Sequence, residues 1–453
     1  MPKPRWVPLG VMFALLVLPL SAATDQPAGP GPDARIARLV ASISAERLRR
    51  IDTTLAGFGT RHTLSDTTSR TRGIGAARQW IFEELKRSSP RLQVSFETFM
   101  LAPQPRVPRQ VELRNVIAIL PGRSPRRVYV TGHYDSHNVE GLGRPGAGGK
   151  PITYEMLDFN VDAPGANDDG SGTSLTMELA RVFANSGIQF DATLVFACWA
   201  GEEQGLYGSS AHAAALAKTT TRVEANISND IIGGSRGGSG RIESRRVRLY
   251  SDGPADSPSR ELARFIRRVA AQYVPGHVVE LMARIDRFGR GSDHMSFSTR
   301  GYPAVVFREA NENYARQHTS QDTLEGVDFD YLARNARVNA AAAASLALAP
   351  AAPAVTDNGR PMLGRAPSGY DANLQWHASP GAVGYRIYRR RTWSNDWEDS
   401  WSVGGVTSFV LPDVSIDDYV FGVAAIGADG NESVVSAYVA PPEQATEVKL
   451  APR

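Results

Sequence analysis

The fold is decided by residues 192–205, which read ATLVFACWAGEEQG. The run up to Trp199 is almost entirely apolar, and a short apolar run of this kind is typical of a strand buried on both faces of a sheet. Glu202 and Glu203 follow the strand almost at once. Because buried charges without partners cost free energy, this pair is either a solvated turn or part of a functional site, and the apolar strand favours the site.

Strand-like runs alternate with helical runs along most of the chain. Apolar residues recur at helical spacing in 33–56 and 73–85, and the alanine-rich stretch 331–349 closes the alternating region. The strand-like runs between them are VSFETF, RNVIAIL, RRVYVTG, ATLVFACWA, VEANISND and PAVVFRE. Such alternation predicts an α/β domain with a mostly parallel central sheet flanked by helices.

The chain of 453 residues is too long for one ordinary domain. Its composition changes at Pro350, where a Pro/Ala linker begins, and four of the seven tryptophans lie beyond it among short alternating runs. Alternating runs separated by Gly, Pro, Asn and Asp turns predict an antiparallel β-sandwich. The predicted division is a signal peptide at 1–23, a lead-in or propeptide at 24–50, the α/β domain at 51–349, a linker at 350–362, the sandwich at 363–441 and a tail at 442–453.

The first residues are typical of an export signal. Lys3 and Arg5 precede an apolar run of 15 residues, from Trp6 to Leu20, and small residues follow it. A helix needs about 20 apolar residues to cross a bilayer, so cleavage is favoured over an uncleaved anchor. No later segment is long and apolar enough to span. We expect a secreted or periplasmic bacterial protein without integral membrane association after the signal is removed.

Charge and cysteine content exclude several classes of function. The formal net charge is +3, and it falls to about +1 without Lys3 and Arg5, so nothing indicates a nucleic-acid partner. Cys198 is the only cysteine, which excludes an intrachain disulfide scaffold and any multi-cysteine zinc or iron–sulfur site. Cys198 itself is interpreted as a packed small hydrophobe. Any metal must then be held by His, Asp and Glu side chains.

Such side chains follow the ends of three predicted strands. His133 and Asp135 come directly after VYVT, Glu202 and Glu203 after TLVFACW, and Asp230 after VEANIS. The carboxyl ends of parallel strands meet in one crevice, so residues distant in sequence are expected to lie together. Taken singly, each of these residues also has an ordinary interpretation as a turn or surface residue.

Two further segments complete the set. Asp168 and Asp169 stand between glycines in GANDDGSG, just before a predicted helix, and His318 lies in the loop QHTSQDT. The paired aspartates are either an ordinary helix cap or cation ligands, and His318 alone is uninformative. Together these places supply two histidines, two aspartates and a glutamate as ligands, plus one spare glutamate. That is the inventory of a two-metal hydrolytic site.

The ordered motifs GHYDS, GANDDGSG, GEEQGLYGS, NDIIG, GSDHMSF and HTSQDT resemble those of the di-zinc aminopeptidases of metallopeptidase family 28, the family of secreted bacterial leucyl aminopeptidases. The resemblance covers about 51–349 and implies the zinc exopeptidase fold. It also implies a hydrolase of peptides with a free N-terminus that binds two Zn²⁺ per chain, with Co²⁺ or Mn²⁺ as substitutes. The C-terminal region resembles a fibronectin type III module.

Matched residue by residue, the resemblance also implies a ligand set. The implied ligands are His133 and Asp230 for one zinc, Glu203 and His318 for the other, and Asp168 as the bridge between them. Glu202 is implied as the general base, which takes a proton from water and passes it to the leaving amine. Asp135 matches an acid beside the first histidine, and Asp169 follows the bridge where the family often has a strained peptide bond.

One position departs from the family pattern. Gln317 precedes an implied ligand where some relatives carry tyrosine, so a phenol that stabilises an oxyanion is not assured at that place. His294 and Tyr314 are the candidate substitutes. Arg287 and Arg290 either meet a carboxylate of the substrate or are solvated surface residues.

Three alternatives remain open from the sequence. The Gly-rich insert at 139–164 either walls the substrate pocket or is a surface loop. A glutaminyl cyclase with a single zinc resembles the same fold, but the complete ligand set argues against it. In the third interpretation, the α/β domain is catalytically inactive and presents the sandwich for binding or adhesion. The sequence indicates neither an oligomeric state nor a preferred N-terminal residue.

Overall fold

The computed structural model describes residues 31–144, 149–365 and 369–440. The predicted signal peptide and tail lie outside these residues, as does the first part of the predicted lead-in. Within the described ranges, no helix combines the length and the apolar character needed to cross a membrane.

A central sheet of eight described strands is built by the alternating part of the chain. Its strands are β1 (Gln93–Leu101), β2 (Val111–Leu120), β3 (Ser124–His133), β4 (Ala192–Trp199), β5 (Val223–Asn229), β6 (Arg246–Ser251), β7 (Val278–Met282) and β8 (Ala304–Glu309). They lie in the order β1-β2-β4-β3-β5-β8-β6-β7. Helices flank this sheet, which confirms the predicted α/β class.

The sheet is parallel at its centre, and the strand direction reverses on each side of this centre, although the edge pair of β6 and β7 is again parallel. Strands β4, β3, β5 and β8 run parallel. By contrast, β2 joins β4 and β6 joins β8 in antiparallel pairs, and β1 pairs antiparallel with β2. Antiparallel neighbours need only a short connection, as between β1 and β2, whereas parallel ones need a crossover. The expectation of a mostly parallel sheet therefore holds for the strands in the middle.

The flanking helices bury their apolar faces against the sheet. They are α1 (Ala34–Ala41), α2 (Ala45–Gly57), α3 (Gly73–Ser88), α4 (Ser171–Ala184), α5 (Glu202–Gly205), α6 (Tyr207–Leu216), α7 (Pro258–Tyr273), α8 (His294–Ser298) and α9 (Phe329–Leu348). The alanines at 340–344 in α9 have no exposed surface, because small side chains allow close packing. The alanine-rich stretch is thus the closing helix that the sequence predicted.

Helices α1 and α2 belong to the same core as the sheet. Ile36 and Leu48 have no exposed surface and join the main hydrophobic cluster. Each helix begins at a capping side chain, since Asp33 and Ser44 accept hydrogen bonds from backbone N–H groups in the first turn. The packed core therefore begins before residue 51, where the sequence placed the start of the domain.

Strand β4 is buried along its whole length, as its apolar run predicts. Cys198 lies in this strand with no exposed surface, and burial raises the pKa of its thiol. This environment confirms the interpretation of Cys198 as a packed hydrophobe, since reactive cysteines need exposure and a lowered pKa.

The parallel strands end at one edge of the sheet. His133, the last residue of β3, pairs with Trp199, the last residue of β4, and Asn229 ends β5. At Gly132 an added Cβ would lie 2.6 Å from the backbone of Gly172, so glycine is required where β3 meets the start of α4. The ends of β3, β4 and β5 and the turn before α4 therefore share one small region.

The C-terminal part forms additional β-sheets. A small pair joins β9 (Thr356–Asp357) and β10 (Arg360–Pro361), inside the segment predicted as a linker. The larger sheets are β11 (Leu363–Arg365), β12 (Ala372–Gln375) and β15 (Ser408–Leu411), and β13 (Ala382–Arg391), β14 (Asp399–Val403), β16 (Tyr419–Gly427) and β17 (Ser436–Ala437). Leu374 and Trp376 from one side share a core with Ile387 and Phe421 from the other, so the two larger sheets form a sandwich.

The sandwich contacts α7 through polar and charged side chains. Trp397 Nε1 donates to Glu261 Oε2 over 2.9 Å, and Arg264 Nε donates to the carbonyl oxygen of Asn395 over 2.6 Å. Glu261 is buried, and burial raises its pKa to about 7 although Arg264 and Trp397 act in the opposite direction. The α/β part and the sandwich thus meet at a specific polar interface.

Candidate metal centre

Six acidic and imidazole side chains meet at the carboxyl edge of the parallel strands. Three strands and two loops supply them, so chain segments far apart in sequence converge. They are His133 at the end of β3, Asp168 in the turn before α4, Glu202 and Glu203 at the start of α5, Asp230 after β5 and His318 in the loop after β8. The structure therefore brings together every residue that the sequence placed in the ligand set, with the implied base beside them.

Asp168 lies between the two histidines. Its Oδ1 is 3.3 Å from His133 Nε2, and its Oδ2 is 3.0 Å from His318 Nε2. Glu203 Oε2 lies 3.1 Å from His318 Nε2, while Asp230 Oδ1 lies 3.8 Å from His133 Nε2. The donor atoms therefore form two groups that share one carboxylate.

The donor set fits a divalent metal. His133 is 1% exposed, and its Nε2 has no hydrogen-bond partner among the residues that the structure describes. A dry imidazole nitrogen without a partner costs free energy, and a bond to a metal removes that cost. Donor atoms within 4.8 Å of one another occur in His133, Asp168 and Glu203, in His133, Glu202 and Asp230, and in His137, Glu203 and His318. Such nitrogen and oxygen donors suit zinc.

The electrostatics indicate an excess of negative charge. Burial alone would lower the pKa of His133, but Glu202, Asp135 and Asp168 outweigh it and raise the pKa well above its ordinary value. Burial raises the pKa of Glu202 well above the usual range, and the nearby carboxylate of Asp230 adds to the rise. Both shifts arise because carboxylates outnumber cations in a dry site, which is the condition that a bound cation relieves.

Asp135 positions three residues of the site. The backbone N–H groups of Glu202 and Glu203 donate to its carboxylate over 3.2 and 3.1 Å. His133 Nδ1 lies 3.1 Å from the backbone oxygen of Asp135 and 3.5 Å from Oδ1. With Nδ1–H donating to these oxygens, Nε2 presents its lone pair towards Asp168, which is the tautomer that a metal ligand needs.

Asp169 joins three parts of the chain. Its carboxylate accepts hydrogen bonds from the backbone N–H groups of His133 over 3.0 Å, Gly172 over 2.9 Å and Ile231 over 3.3 Å. The peptide bond between Asp168 and Asp169 is cis. Through these contacts Asp169 links the end of β3, the start of α4 and the loop after β5, while the neighbouring Asp168 side chain faces the histidines.

Two neighbours of Asp230 were not identified from the sequence. Ser292 Oγ donates to Asp230 Oδ2 over 2.6 Å, and the buried guanidinium of Arg308 pairs with both Asp230 and Asp286. Burial would raise the pKa of Asp230, but Arg308 lowers it below the usual range. The available signal was an arginine inside PAVVFRE, because a charged residue in a buried strand requires a partner.

A third histidine at the site was also missed. His137 is 6% exposed, and its Nδ1 lies 3.5 Å from Glu203 Oε2. Its ring centroid is 5.2 Å from that of His318. The signal was its position four residues after His133, in the same stretch that leaves the end of β3.

The two candidate substitutes for a family tyrosine lie outside this group. His294 is buried, with Nε2 2.7 Å from the backbone oxygen of Ile285. Tyr314 is 62% exposed, and its ring packs against the guanidinium of Arg290. Both residues are near the implied ligands in sequence, but their side chains lie away from the donor atoms because each contacts another local group.

A cleft of about 490 Å³ opens onto the acidic side chains. The insert forms part of its wall, since Val139, Leu142 and Tyr154 line the cleft. The backbone N–H of Val139 also donates to the backbone oxygen of His318 over 2.9 Å. The insert therefore serves as a wall, which is one of its two predicted roles. Arg287 and Arg290 line the same cleft.

The fold and the donor set define a metal-dependent hydrolase. The sequence profile described as Peptidase family M28 matches residues 115–343. A protein of Leptosphaeria maculans named "Probable zinc metalloprotease" is 38% identical over 439 residues, which are 89% of this chain and 96% of that protein. The chain therefore belongs to peptidase family M28, a family of zinc metallopeptidases. That relative is fungal, and the bacterial origin expected from the sequence stays a prediction.

Solved structures share the fold at low identity. The Legionella pneumophila LapA aminopeptidase has a TM-score of 0.53 and 19% identity, covering 72% of this chain and 78% of its own. The Porphyromonas gingivalis glutaminyl cyclase has a TM-score of 0.50 and 16% identity, covering 67% of this chain and 98% of its own. At such identities the likeness shows the fold alone, and this fold carries more than one reaction.

Proposed function

We propose that the protein is an exported aminopeptidase that uses two zinc ions to release N-terminal residues from peptides. The observation that carries the proposal is the carboxylate of Asp168, whose two oxygens face His133 and His318. A carboxylate shared by two groups of donors is what two adjacent metal ions require. Membership of peptidase family M28 supports the hydrolytic reaction.

The proposed ligands divide into two pairs around the shared carboxylate. His133 and Asp230 would hold one zinc ion, Glu203 and His318 the other, and Asp168 would contact both. When bound, zinc supplies Lewis acidity and a water molecule with a pKa near neutrality. Co²⁺ and Mn²⁺ are proposed as substitutes because His and carboxylate donors accept several metals.

Glu202 is proposed as the general base. Its side chain is 11% exposed, and its Oε2 lies 4.0 Å from His133 Nε2, at the mouth of the site. The backbone N–H of Glu202 is held by Asp135. Burial and neighbouring carboxylates raise the pKa of Glu202 in the metal-free protein. In the proposed reaction its carboxylate takes a proton from water. The same carboxyl group then returns the proton to the leaving amine.

Peptides with a free N-terminus are the proposed substrates. Four carboxylates line the cleft, and zinc held by them would offer a Lewis-acidic position for the neutral α-amine of a peptide. Next to them lie the apolar side chains of the insert, which suit an uncharged N-terminal residue. The lining residues that support this assignment are Asp168, Glu202, Glu203 and Asp230 on the acidic side and Val139 and Leu142 on the apolar side.

The test combines metal analysis with substrate selectivity. Purified protein is expected to contain two zinc ions and to cleave leucyl peptides but not their N-acetylated forms. Glu202→Gln is expected to keep both metals and to lose about 10²- to 10⁴-fold in kcat. Glu46→Gln, at an exposed position, is the matched control and should retain full activity. Equal cleavage of acetylated peptides, or full activity of Glu202→Gln, would overturn the proposal.

Glutaminyl cyclisation is the second candidate, because the fold is shared with the Porphyromonas gingivalis glutaminyl cyclase. Two groups of donors around Asp168 favour hydrolysis instead. Incubation with a peptide that begins with glutamine separates the two reactions by mass spectrometry. Release of free glutamine supports the aminopeptidase, whereas pyroglutamate formation with one bound zinc supports the cyclase.

We also propose export and a fibronectin type III-like module at the C-terminus. Antiparallel sheets of three and four described strands around one core support the module. Export rests on the sequence of residues 1–23. N-terminal sequencing of protein recovered outside the host cells should begin near residue 24, and protein that keeps residue 1 inside the cells would contradict export.

A further inference from the structure

We infer that His137 is an additional ligand of the metal ion held by Glu203 and His318. This inference rests on the proposed function, because it requires a metal at that position. It makes the two metal positions unequal, since the group of His137, Glu203 and His318 has two imidazoles, whereas the group of His133, Glu202 and Asp230 has one.

The imidazole of His137 is buried without the partners that burial requires. It is 6% exposed, and neither ring nitrogen has a hydrogen-bond partner within the described part of the chain. The ring of His62 lies 5.6 Å from that of His137, and both of its nitrogens have partners. Its Nε2 is 2.8 Å from the hydroxyl of Tyr154, and its Nδ1 accepts from the N–H of Leu64 over 3.0 Å. Since buried polar nitrogens normally have a partner, His137 requires one other than the protein groups that the structure describes.

The position of that partner follows from the neighbouring donor atoms. His137 Nδ1 lies 3.5 Å from Glu203 Oε2, and Glu203 Oε2 lies 3.1 Å from His318 Nε2. Donor atoms of all three residues lie within 4.8 Å of one another. Two ligands of one tetrahedral zinc are about 3.4 Å apart, because each bond is about 2.0 to 2.2 Å long. The observed separations are those of ligands that surround one ion.

A direct hydrogen bond between His137 and Glu203 does not explain this arrangement. Their contact is at the long limit for a hydrogen bond, and its direction leaves the Nδ1 atom without a partner. The other metal position differs further, because Asp230 already pairs with Arg308. The position of Glu203, His318 and His137 is therefore expected to hold its metal more tightly.

Zinc affinity provides the first measurement. Stepwise competition with a chromophoric chelator is expected to give two dissociation constants for the wild-type protein. His137→Ala and His137→Gln should weaken the tighter one by at least about tenfold and leave the weaker one unchanged. His62→Ala is the matched control, because it removes a histidine that lies next to His137 without removing a predicted ligand, and it should change neither constant.

X-ray absorption on protein loaded with one equivalent of zinc provides the second measurement. We expect two imidazole ligands in the wild type and one in His137→Ala and His137→Gln. An unchanged affinity overturns the inference. An unchanged imidazole count also overturns it, even if affinity falls, because His137 would then only position Glu203.

Thermal unfolding of the metal-free proteins shows which variants fold. If His137→Ala does not fold, His137→Gln alone is compared with the wild type. Failure of the proposed function is distinguishable from failure of this inference. A wild-type protein that binds no zinc would contradict both the proposed function and the role of His137. If the wild type binds two zinc ions and the His137 variants bind zinc with the same affinities, only the role of His137 is contradicted.

Discussion

Two clusters of charged side chains in this molecule differ in their balance of charge. In the described structure, the carboxylates of Asp168, Glu202, Glu203 and Asp230 surround two histidines at the metal centre. The guanidinium of Arg308 pairs with Asp230. The interface between α7 and the sandwich instead places at least one arginine beside each of its acids. Its pairs are Arg264 with Glu261, Arg267 with Asp396, Arg268 with Glu432 and Arg390 with Asp256.

The difference separates a site built for a ligand from one built for packing. In a cluster whose acids outnumber its cations, the carboxylates repel one another unless a cation is bound. In a paired cluster, the arginines of the protein neutralise the carboxylates. The raised pKa of His133 follows from the excess of nearby carboxylates, which outweighs the effect of burial. Charge excess in a dry cleft is therefore the property that marks the functional cluster here.

The largest expected effect of this difference is on thermal stability after metal removal. A ligand present at 1,000 times its Kd stabilises the folded state by about 4 kcal/mol, so a chelator should lower Tm by several degrees. The measurement is differential scanning calorimetry with and without the chelator. Chelator already saturated with zinc, at the same ionic strength, is the control. An identical Tm in both conditions would show that the acidic cluster is stable without a cation.

The next effect is on the pH dependence of the paired cluster. Glu261 has a pKa of about 7 in the folded protein against 4.5 for an ordinary glutamate, chiefly because it is buried. Its contribution is present in full below pH 4.5 and is lost as pH rises to about 7, because the unfolded state releases the proton first. Relative to Glu261→Gln, the wild type should therefore lose up to about 3 kcal/mol of unfolding free energy over this range.

Urea unfolding at several pH values measures this loss. Glutamine keeps an oxygen for the indole N–H of Trp397 and does not titrate, so the comparison isolates the proton. The free zinc concentration is held constant across the series, because the acidic cluster would otherwise contribute its own pH dependence. Parallel pH profiles for the two proteins would mean that the pKa of Glu261 is the same in the folded and unfolded states.

A smaller effect is expected from the residue that positions the acidic cluster. Asp135→Asn leaves one oxygen for the two N–H groups of Glu202 and Glu203 and turns a donor towards one of them. Loss of such a supporting contact typically costs about 10- to 100-fold in metal affinity. Chelator competition and kcat/KM both report it. Asp158→Asn, at an exposed position, is the control, and equal affinities for the two variants would remove the positioning role of Asp135.

The residues whose proximity was predicted from the sequence, and is seen in the structure, stand mainly at strand ends. His133, Glu203 and Asp230 follow apolar runs, and the convergence of parallel strands places their backbones together. The β-sandwich followed in the same way from its alternating runs. The local sequence pattern is sufficient to predict these positions, because the direction of a strand determines the edge at which the chain leaves the sheet.

Other features depend on which strands are neighbours, and a single sequence does not reveal that order. Arg308 reaches Asp230 because β8 lies beside β5, although β6 and β7 come between them in the chain. His137 lies in the loop after β3, outside any strand or helix, so strand direction does not place its side chain. The antiparallel pairs of β2 with β4 and of β6 with β8 were missed for the same reason, since strand direction depends on the connections.

The smallest expected effect concerns Tyr314, which the sequence offered as a substitute for a family tyrosine. Its ring is 62% exposed and packs on Arg290, outside the acidic cluster. Surface substitutions of this kind change free energies by less than about 0.5 kcal/mol, so Tyr314→Phe should keep kcat within about twofold. Steady-state kinetics on a leucyl peptide measures this, with Glu202→Gln as the reference for a residue inside the cluster. A tenfold fall in kcat with KM unchanged would instead mean that the hydroxyl of Tyr314 reaches the substrate during turnover, and the chemistry would then extend beyond the residues that carry the excess of negative charge.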